Sequence, residues 1–113
     1  MNVEINTKKI KTGFMMHLKG DVDITTSFVL KQNLDKMLKL GGAKALLIDL
    51  SNVRYIDSVG VWVLAEASKK CMKQGMKLRL VEPSAPVREL FRLVGLGSLI
   101  EIFRDENEAC EGL

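Results

Sequence analysis

Cysteine, histidine, proline and aromatic residues are all scarce in this 113-residue chain, which has two Cys, one His, two Pro and 5% aromatics. Each scarcity removes a class of function. Cys71 and Cys110 are far apart and form no Cys-x-x-Cys pair, so neither a disulfide framework nor a zinc site is expected. Cys71 falls on the apolar side of its helix and reads as a small core residue. His17 has no companion of the right type for a metal site or a catalytic base, and reads as a partly covered sheet residue. The chain contains no Gly-x-Ser-x-Gly elbow, no Gly-x-x-x-x-Gly-Lys loop and no Gly-x-Gly-x-x-Gly fingerprint. No enzymatic activity, catalytic residue, cofactor or resident metal is therefore expected.

Long apolar runs are missing too. No segment reaches the length of a membrane span. The amino terminus alternates Val3, Ile5 and Ile10 with Glu4, Asn6, Lys8 and Lys9, which leaves no apolar core for a signal peptide. The expected compartment is the cytoplasm. A net charge of +3 and a pI near 9.0 raise the question of nucleic acid. The basic residues Lys31, Lys36, Lys39, Lys69, Lys70, Lys73 and Lys77 are spread over two or more helices and interrupted by acids, and few aromatics are available to stack on bases. They read as a solvated face, with no direct nucleic-acid contact.

What is present is the pattern of an ordinary globular domain, 47% apolar and 27% charged. A chain of this length buries about two-thirds of its unfolded surface without staples, so a single domain over residues 1–113 is expected. Val3 to Ile10 and Phe14 to Lys19 read as strands joined by a Lys11-Thr12-Gly13 turn. Thr25, Thr26 or Ser27 can cap a helix with the apolar stripe Leu30, Leu34, Met37 and Leu38, stopped by Gly41-Gly42. Ala45 to Leu50 is a core strand. A helix from Ser58 to Gln74 is closed by Gly75, and Lys77 to Val81 is a further strand. Ser84 caps a helix with Pro86 in its first turn and Val87, Leu90, Phe91 and Val94 as its buried stripe, ended by Gly95. Leu99 to Phe103 is a short strand, and Asp105 opens a terminal helix. A hairpin followed by helix–strand alternation predicts an α/β fold with right-handed crossovers between parallel strands.

The passage from strand to helix at Ile56-Asp57-Ser58-Val59-Gly60 is the most informative stretch. Asp57 or Ser58 is a natural N-cap, and a phosphoryl group on Ser58 would face the positive end of a helix, worth roughly 0.3–1 kcal/mol. At about 100° per residue, Val61, Leu64, Ala65, Ser68, Cys71 and Met72 form the core face of that helix. Val59, Trp62, Val63, Glu66, Lys70 and Lys73 fall opposite. The only tryptophan and two valines thus sit beside the phosphoacceptor candidate on a face the sheet does not cover, and packing by another helix is the competing explanation. Aromatic anchors with a polar rim mark docking surfaces. Asp21, Asp23, Asp49 and Asp57 lie near strand ends. Capping chemistry favours Asp23 and Asp57 as braces of the surrounding loops over a magnesium site.

Four motifs in order carry a resemblance. The strand ending Asp49-Leu50-Ser51 followed by Ile56-Asp57-Ser58-Val59-Gly60 resembles the signature of STAS domains, named for sulfate transporters and anti-sigma factor antagonists. Gly20-Asp21-Val22-Asp23 is similar to the family's Gly-x-Leu/Ile-Asp turn, Val87 to Leu96 to its Val–Leu–Gly-Leu helix, and Ala109 to the alanine of its last helix. The resemblance implies a mixed, largely parallel sheet of four or five strands with about four helices packed mainly on one side. It also implies an anti-sigma factor antagonist in a partner-switching circuit. The unphosphorylated protein would bind an anti-sigma factor that is also a serine kinase, phosphorylation of Ser58 would release it, and a PP2C-type phosphatase would reset it. Asp23, Asp57, Val59, Gly60, Trp62 and Val63 are the expected partner-binding residues. Val59 and Trp62 depart from the small residues frequent at those positions in the family, which bears on partner identity rather than on fold. The alternative within the same fold is a non-switching scaffold subunit of a stressosome-like or lipid-transport complex. A two-component receiver domain shares the alternation but needs an acidic pair after its first strand and a lysine after its last, and neither is in place.

Overall fold

A computed structural model describes residues 2–113. The chain runs β1 (Val3–Ile10), β2 (Gly13–Val22), α1 (Ser27–Leu40), β3 (Ala45–Ile56), α2 (Ser58–Lys73), β4 (Lys77–Val81), α3 (Ala85–Val94), a 3₁₀ turn (Leu96–Ser98), β5 (Glu101–Phe103) and α4 (Glu106–Cys110). The five strands form one sheet in the order β1-β2-β3-β4-β5, with β1 antiparallel to β2 and every other neighbouring pair parallel. The parallel pairs are those joined through a helix, because a crossover is what lets consecutive strands run the same way. This is the mixed, largely parallel sheet that the sequence predicts.

Alternation along the central strands divides the core in two. Met16, Leu18, Ile48 and Leu80 point to one face, where Leu30, Leu34, Leu64, Cys71, Val87 and Phe91 of α1, α2 and α3 cover them. Met15, Leu47 and Val81 point to the other, where α4 contributes Ala109. The short α4 is held there by Arg79, a buried guanidinium that donates to the carbonyls of Ala109 and Glu111, both at 2.8 Å. Arg79 also reaches Glu101 at 3.3 Å and lies 5.0 Å from the Phe103 ring centre. Burial pushes the Cys71 thiol up to about 11, which keeps it protonated as a core side chain.

Several boundaries differ from the sequence reading, each for a tertiary reason. β3 runs on to Ile56 instead of ending at Leu50, because β2 also continues and pairs with it from Lys19↔Asn52 to Val22↔Ile56. That extension passes two register shifts, and Gly20 sits beside the second with φ +117° and its Cα against the Asn2 carbonyl, where a side chain would not fit. The glycine of the first family motif therefore lies within β2, opposite a register shift whose extra residue, Arg54, is in β3, rather than in a turn. β5 is shorter than expected, since Leu96–Ser98 wind into a 3₁₀ turn and Leu99 is exposed. In α3 only Val87 and Phe91 are fully buried, while Val94 faces outward. Ser84 stands at the N-cap position, yet its hydroxyl donates to the Val53 carbonyl at 2.6 Å and ties α3 to β3.

Candidate partner-docking site around Ser58

β2 and β3 end side by side, with the Asp57 amide donating to the Val22 carbonyl at 3.0 Å, so the chain that follows each strand emerges at the same edge of the sheet. One emerging segment is the loop of residues 23–26 and the other is the start of α2. The carboxyl ends of parallel strands are where α/β folds gather binding groups, because crossovers leave a crevice there.

Asp57, not Ser58, is the N-cap of α2. Its Oδ1 accepts from the amides of Val59 and Gly60, each at 3.0 Å, and its Oδ2 accepts from the Ile24 amide at 3.0 Å. One carboxylate thus caps the helix and latches the neighbouring loop to it. Asp23 organises that loop from within: its Oδ1 accepts from the Thr25 amide at 2.8 Å, the Thr25 hydroxyl at 2.6 Å and the Thr26 amide at 3.2 Å. The Thr25 hydroxyl bond, helped by these amides against the cost of burial, holds the Asp23 carboxyl below its ordinary value. Thr26 donates from its hydroxyl to the Asp21 carbonyl at 2.7 Å and accepts from the Asp23 amide at 3.0 Å. Ser58 is left as the exposed first residue of α2.

The residues expected to meet a partner separate into two groups. Trp62 is 55% exposed, one helical turn beyond Ser58, and Val59 is half-buried. Gly60 and Val63 are buried, so neither presents a side chain to a partner. A β-carbon on Gly60 would lie 2.6 Å from Ile56 Cγ1 and 2.8 Å from Val22 Cγ1, so the missing side chain is what lets α2 start on top of the two strand ends. Val63 is buried because α1 packs beside α2 and covers the row that includes Ala67; Leu34 of α1 lines the same crevice. The helical arithmetic therefore placed the core face about one residue out: Gly60, Val63, Leu64, Ala67, Ser68 and Cys71 are buried, Val61 and Ala65 are half-buried, and Met72 is 68% exposed.

Sequence reasoning missed two members of the surface. Ile24 in the loop and Phe28 in the first turn of α1 are 73% and 58% exposed. Their position just after the Gly20–Asp23 motif was the available signal, since a large apolar residue in a polar capping loop has no local structural duty. On the other side of Ser58, Tyr55, Val61, Leu90 and Val94 line an open groove of about 520 Å³ that also includes Arg54 and Asp57. Asp49 is not part of this site. Its side chain lies on the other face of the sheet, where Oδ2 is 2.7 Å from His17 Nδ1 and Oδ1 accepts from the Ser51 amide at 2.9 Å. Burial raises its carboxyl, and the bonds from Ser51 and His17 more than offset that, leaving it below its ordinary value.

A central sheet with one hairpin edge, three helices on one face and a capped serine at the α2 start define the class: the chain belongs to the STAS domain family, which it matches over residues 4–109. Its relatives narrow the comparison. It is 30% identical over 102 residues to the anti-sigma-B factor antagonist of Bacillus subtilis (strain 168), covering 90% of this chain and 92% of that protein. It has the fold of an anti-sigma factor antagonist from Mycobacterium paratuberculosis, with a TM-score of 0.87 and 24% identity over 96% of this chain and 91% of the other. It shares that fold with the Bacillus cell fate determinant SpoIIAA in its phosphorylated form, at a TM-score of 0.71 and 18% identity over 94% and 96% of the two chains.

Proposed function

We propose that this chain is an anti-sigma factor antagonist that works by partner switching, with Ser58 as the phosphoacceptor. The observation that carries the reading is the composition of the edge that holds Ser58: an exposed serine at a rigidly capped helix start, with exposed apolar side chains on the elements that begin or end there, Ile24 in the latched loop, Phe28 in the first turn of α1, Tyr55 near the end of β3 and Trp62 in α2. Such anchors suit a protein partner better than a small substrate. The relatives named as anti-sigma factor antagonists give the partner's class: an anti-sigma factor, which here would also be the serine kinase, with a PP2C-type phosphatase reversing the modification. The protein itself is a non-catalytic binding protein of the cytoplasm, and none of its helices among the described residues is long and apolar enough to cross a membrane.

The capping geometry supports this reading of the switch. The Val59 and Gly60 amides, which would otherwise receive an anion at the helix start, are already held by Asp57. A phosphate on Ser58 would add close to two negative charges beside the Asp57 carboxylate and keep them pointed at the partner. Repulsion and the cost of desolvating that charge both act against the complex. Calorimetric titration against the purified anti-sigma factor tests the switch. Ser58→Ala should bind within about threefold of wild type and Ser58→Asp at least about tenfold more weakly, a difference near 1.4 kcal/mol. Equal affinities for all three proteins would discard the switch and leave the non-switching scaffold. Intact-mass and peptide analysis after incubation with the kinase and ATP should place one phosphate on Ser58; stoichiometric modification of Ser51 or Thr25 instead would overturn the assignment.

A further inference from the structure

At the end of the sheet opposite Ser58, the β1–β2 turn and the α1–β3 loop enclose an open cleft of about 610 Å³. Its lining includes three lysines, Lys9, Lys11 and Lys44, no acidic side chain, and Leu113 with its α-carboxylate. Among the described residues none of these three lysines takes part in an ion pair, whereas Lys31, Lys69 and Lys70 all do. Its lining is apolar between the lysines: Phe14 and Ala43, both half-buried, pack against the core under α1, α2 and α3, and Ile10 packs against the smaller core on the other face of the sheet. The two walls are fixed to each other by backbone, since the amides of Lys44 and Ala45 both donate to the Thr12 carbonyl, at 2.8 and 3.2 Å. Gly13 lies against the Ala45 carbonyl so closely that no side chain would fit between turn and strand.

Three lysines around a partly apolar lining suit an anion of more than one charge joined to a flat apolar body. The C-terminus of α1 opposes an anion here with about half a negative charge and the Leu113 α-carboxylate with one more, against three full positive ones. Lysine is a point charge suited to phosphate oxygens, and small-molecule sites pair an apolar lining with a few placed polar groups. We propose that this cleft binds a small organic phosphate, with the phosphate among Lys9, Lys11 and Lys44 and its apolar body on Phe14. The site is independent of Ser58 and of the antagonist reading.

Amide chemical-shift titration of the intact protein with phenyl phosphate, compared with inorganic phosphate, tests it. Saturating shifts should centre on residues 9–14 and 41–45, with phenyl phosphate the tighter of the two. The triple variant Lys9→Gln, Lys11→Gln, Lys44→Gln should weaken binding at least about tenfold. A control triple of equal charge loss on exposed sites elsewhere, Lys19→Gln, Lys36→Gln, Lys69→Gln, should change it by less than about threefold. Phe14→Leu should remove the preference for phenyl phosphate while leaving inorganic phosphate binding in place. Equal weakening by both triples would show diffuse attraction to a cationic surface, and non-saturating shifts or shifts centred outside the cleft would show no site; any of these outcomes overturns the proposal.

Discussion

Both carboxylate oxygens of Asp57 are engaged, one in capping α2 and the other in holding the Ile24 amide. Asparagine offers one acceptor oxygen in place of two, so Asp57→Asn can keep the cap or the latch but not both. The expected result is a stability loss of about 0.5–2 kcal/mol, with faster amide exchange confined to residues 23–26 and the first turn of α2. Uniform exchange across the domain would show that the latch has no local role. Trp62 and Val63 are sequence neighbours with opposite expectations. Trp62→Ala should cost more than about 1 kcal/mol of partner affinity while shifting stability by less than about 0.5 kcal/mol, because its ring is half in solvent. Val63→Ala should cost about 1–3 kcal/mol of stability through a cavity under α1 and leave the fraction that folds able to bind. Denaturant unfolding beside partner titration separates the two.

The helix start is where two elements depend on one absent side chain. α2 approaches the ends of β2 and β3 at Gly60, and adding a methyl there places it well inside contact distance of Ile56 and Val22, both in the packed core. Gly60→Ala is expected to destabilise by about 1–3 kcal/mol despite alanine's better helix propensity, since overpacking outweighs the roughly 1 kcal/mol that propensity returns. Thermal unfolding checks the sign: a raised midpoint would mean that α2 rides up at no cost. The α1–α2 pairing that buries Val63 also carries the Asp35 carboxylate between Lys31, at 2.9 Å on the same helix, and Lys70, at 3.2 Å on the next. These exposed pairs set register more than stability.

Across the whole molecule, Asp23, Asp35 and Asp49 each have a carboxyl held below the ordinary value of 3.8. Groups of this kind contribute stability that is fully present above the unfolded value and is lost as pH falls through the folded ones. The melting midpoint should therefore owe no change to these three groups between pH 5 and 8, and should fall below about pH 4. Asp49→Asn should make that acid fall shallower, because its half-buried carboxylate accepts from the Ser51 amide and pairs with His17. An unchanged acid limb in Asp49→Asn would remove it from the account. The two ends of the sheet also differ in character, with the carboxylates Asp23 and Asp57 and exposed apolar side chains at the Ser58 end and, at the other, lysines that form no ion pair among the described residues.

Much of this was legible in the residues. Alternation, helical spacing and capping residues located every strand and α-helix, Gly41-Gly42, Gly75 and Gly95 ended three of the helices, and the Asp57-Ser58-x-Gly60 turn was singled out by its helix-start position together with four ordered motifs that resemble the STAS signature. Those are local determinants: backbone preference, capping and alternation act over a few residues. What remained hidden depended on neighbours distant in sequence. The rotation of the α2 face follows from α1 lying alongside, the length of β3 from the extension of β2, and the exposure of Ile24 and Phe28 from a loop latched by an aspartate 33 residues away. Side-chain spacing fixes which residues share a face of an element; only the packing of one element on another decides which of those faces meets water.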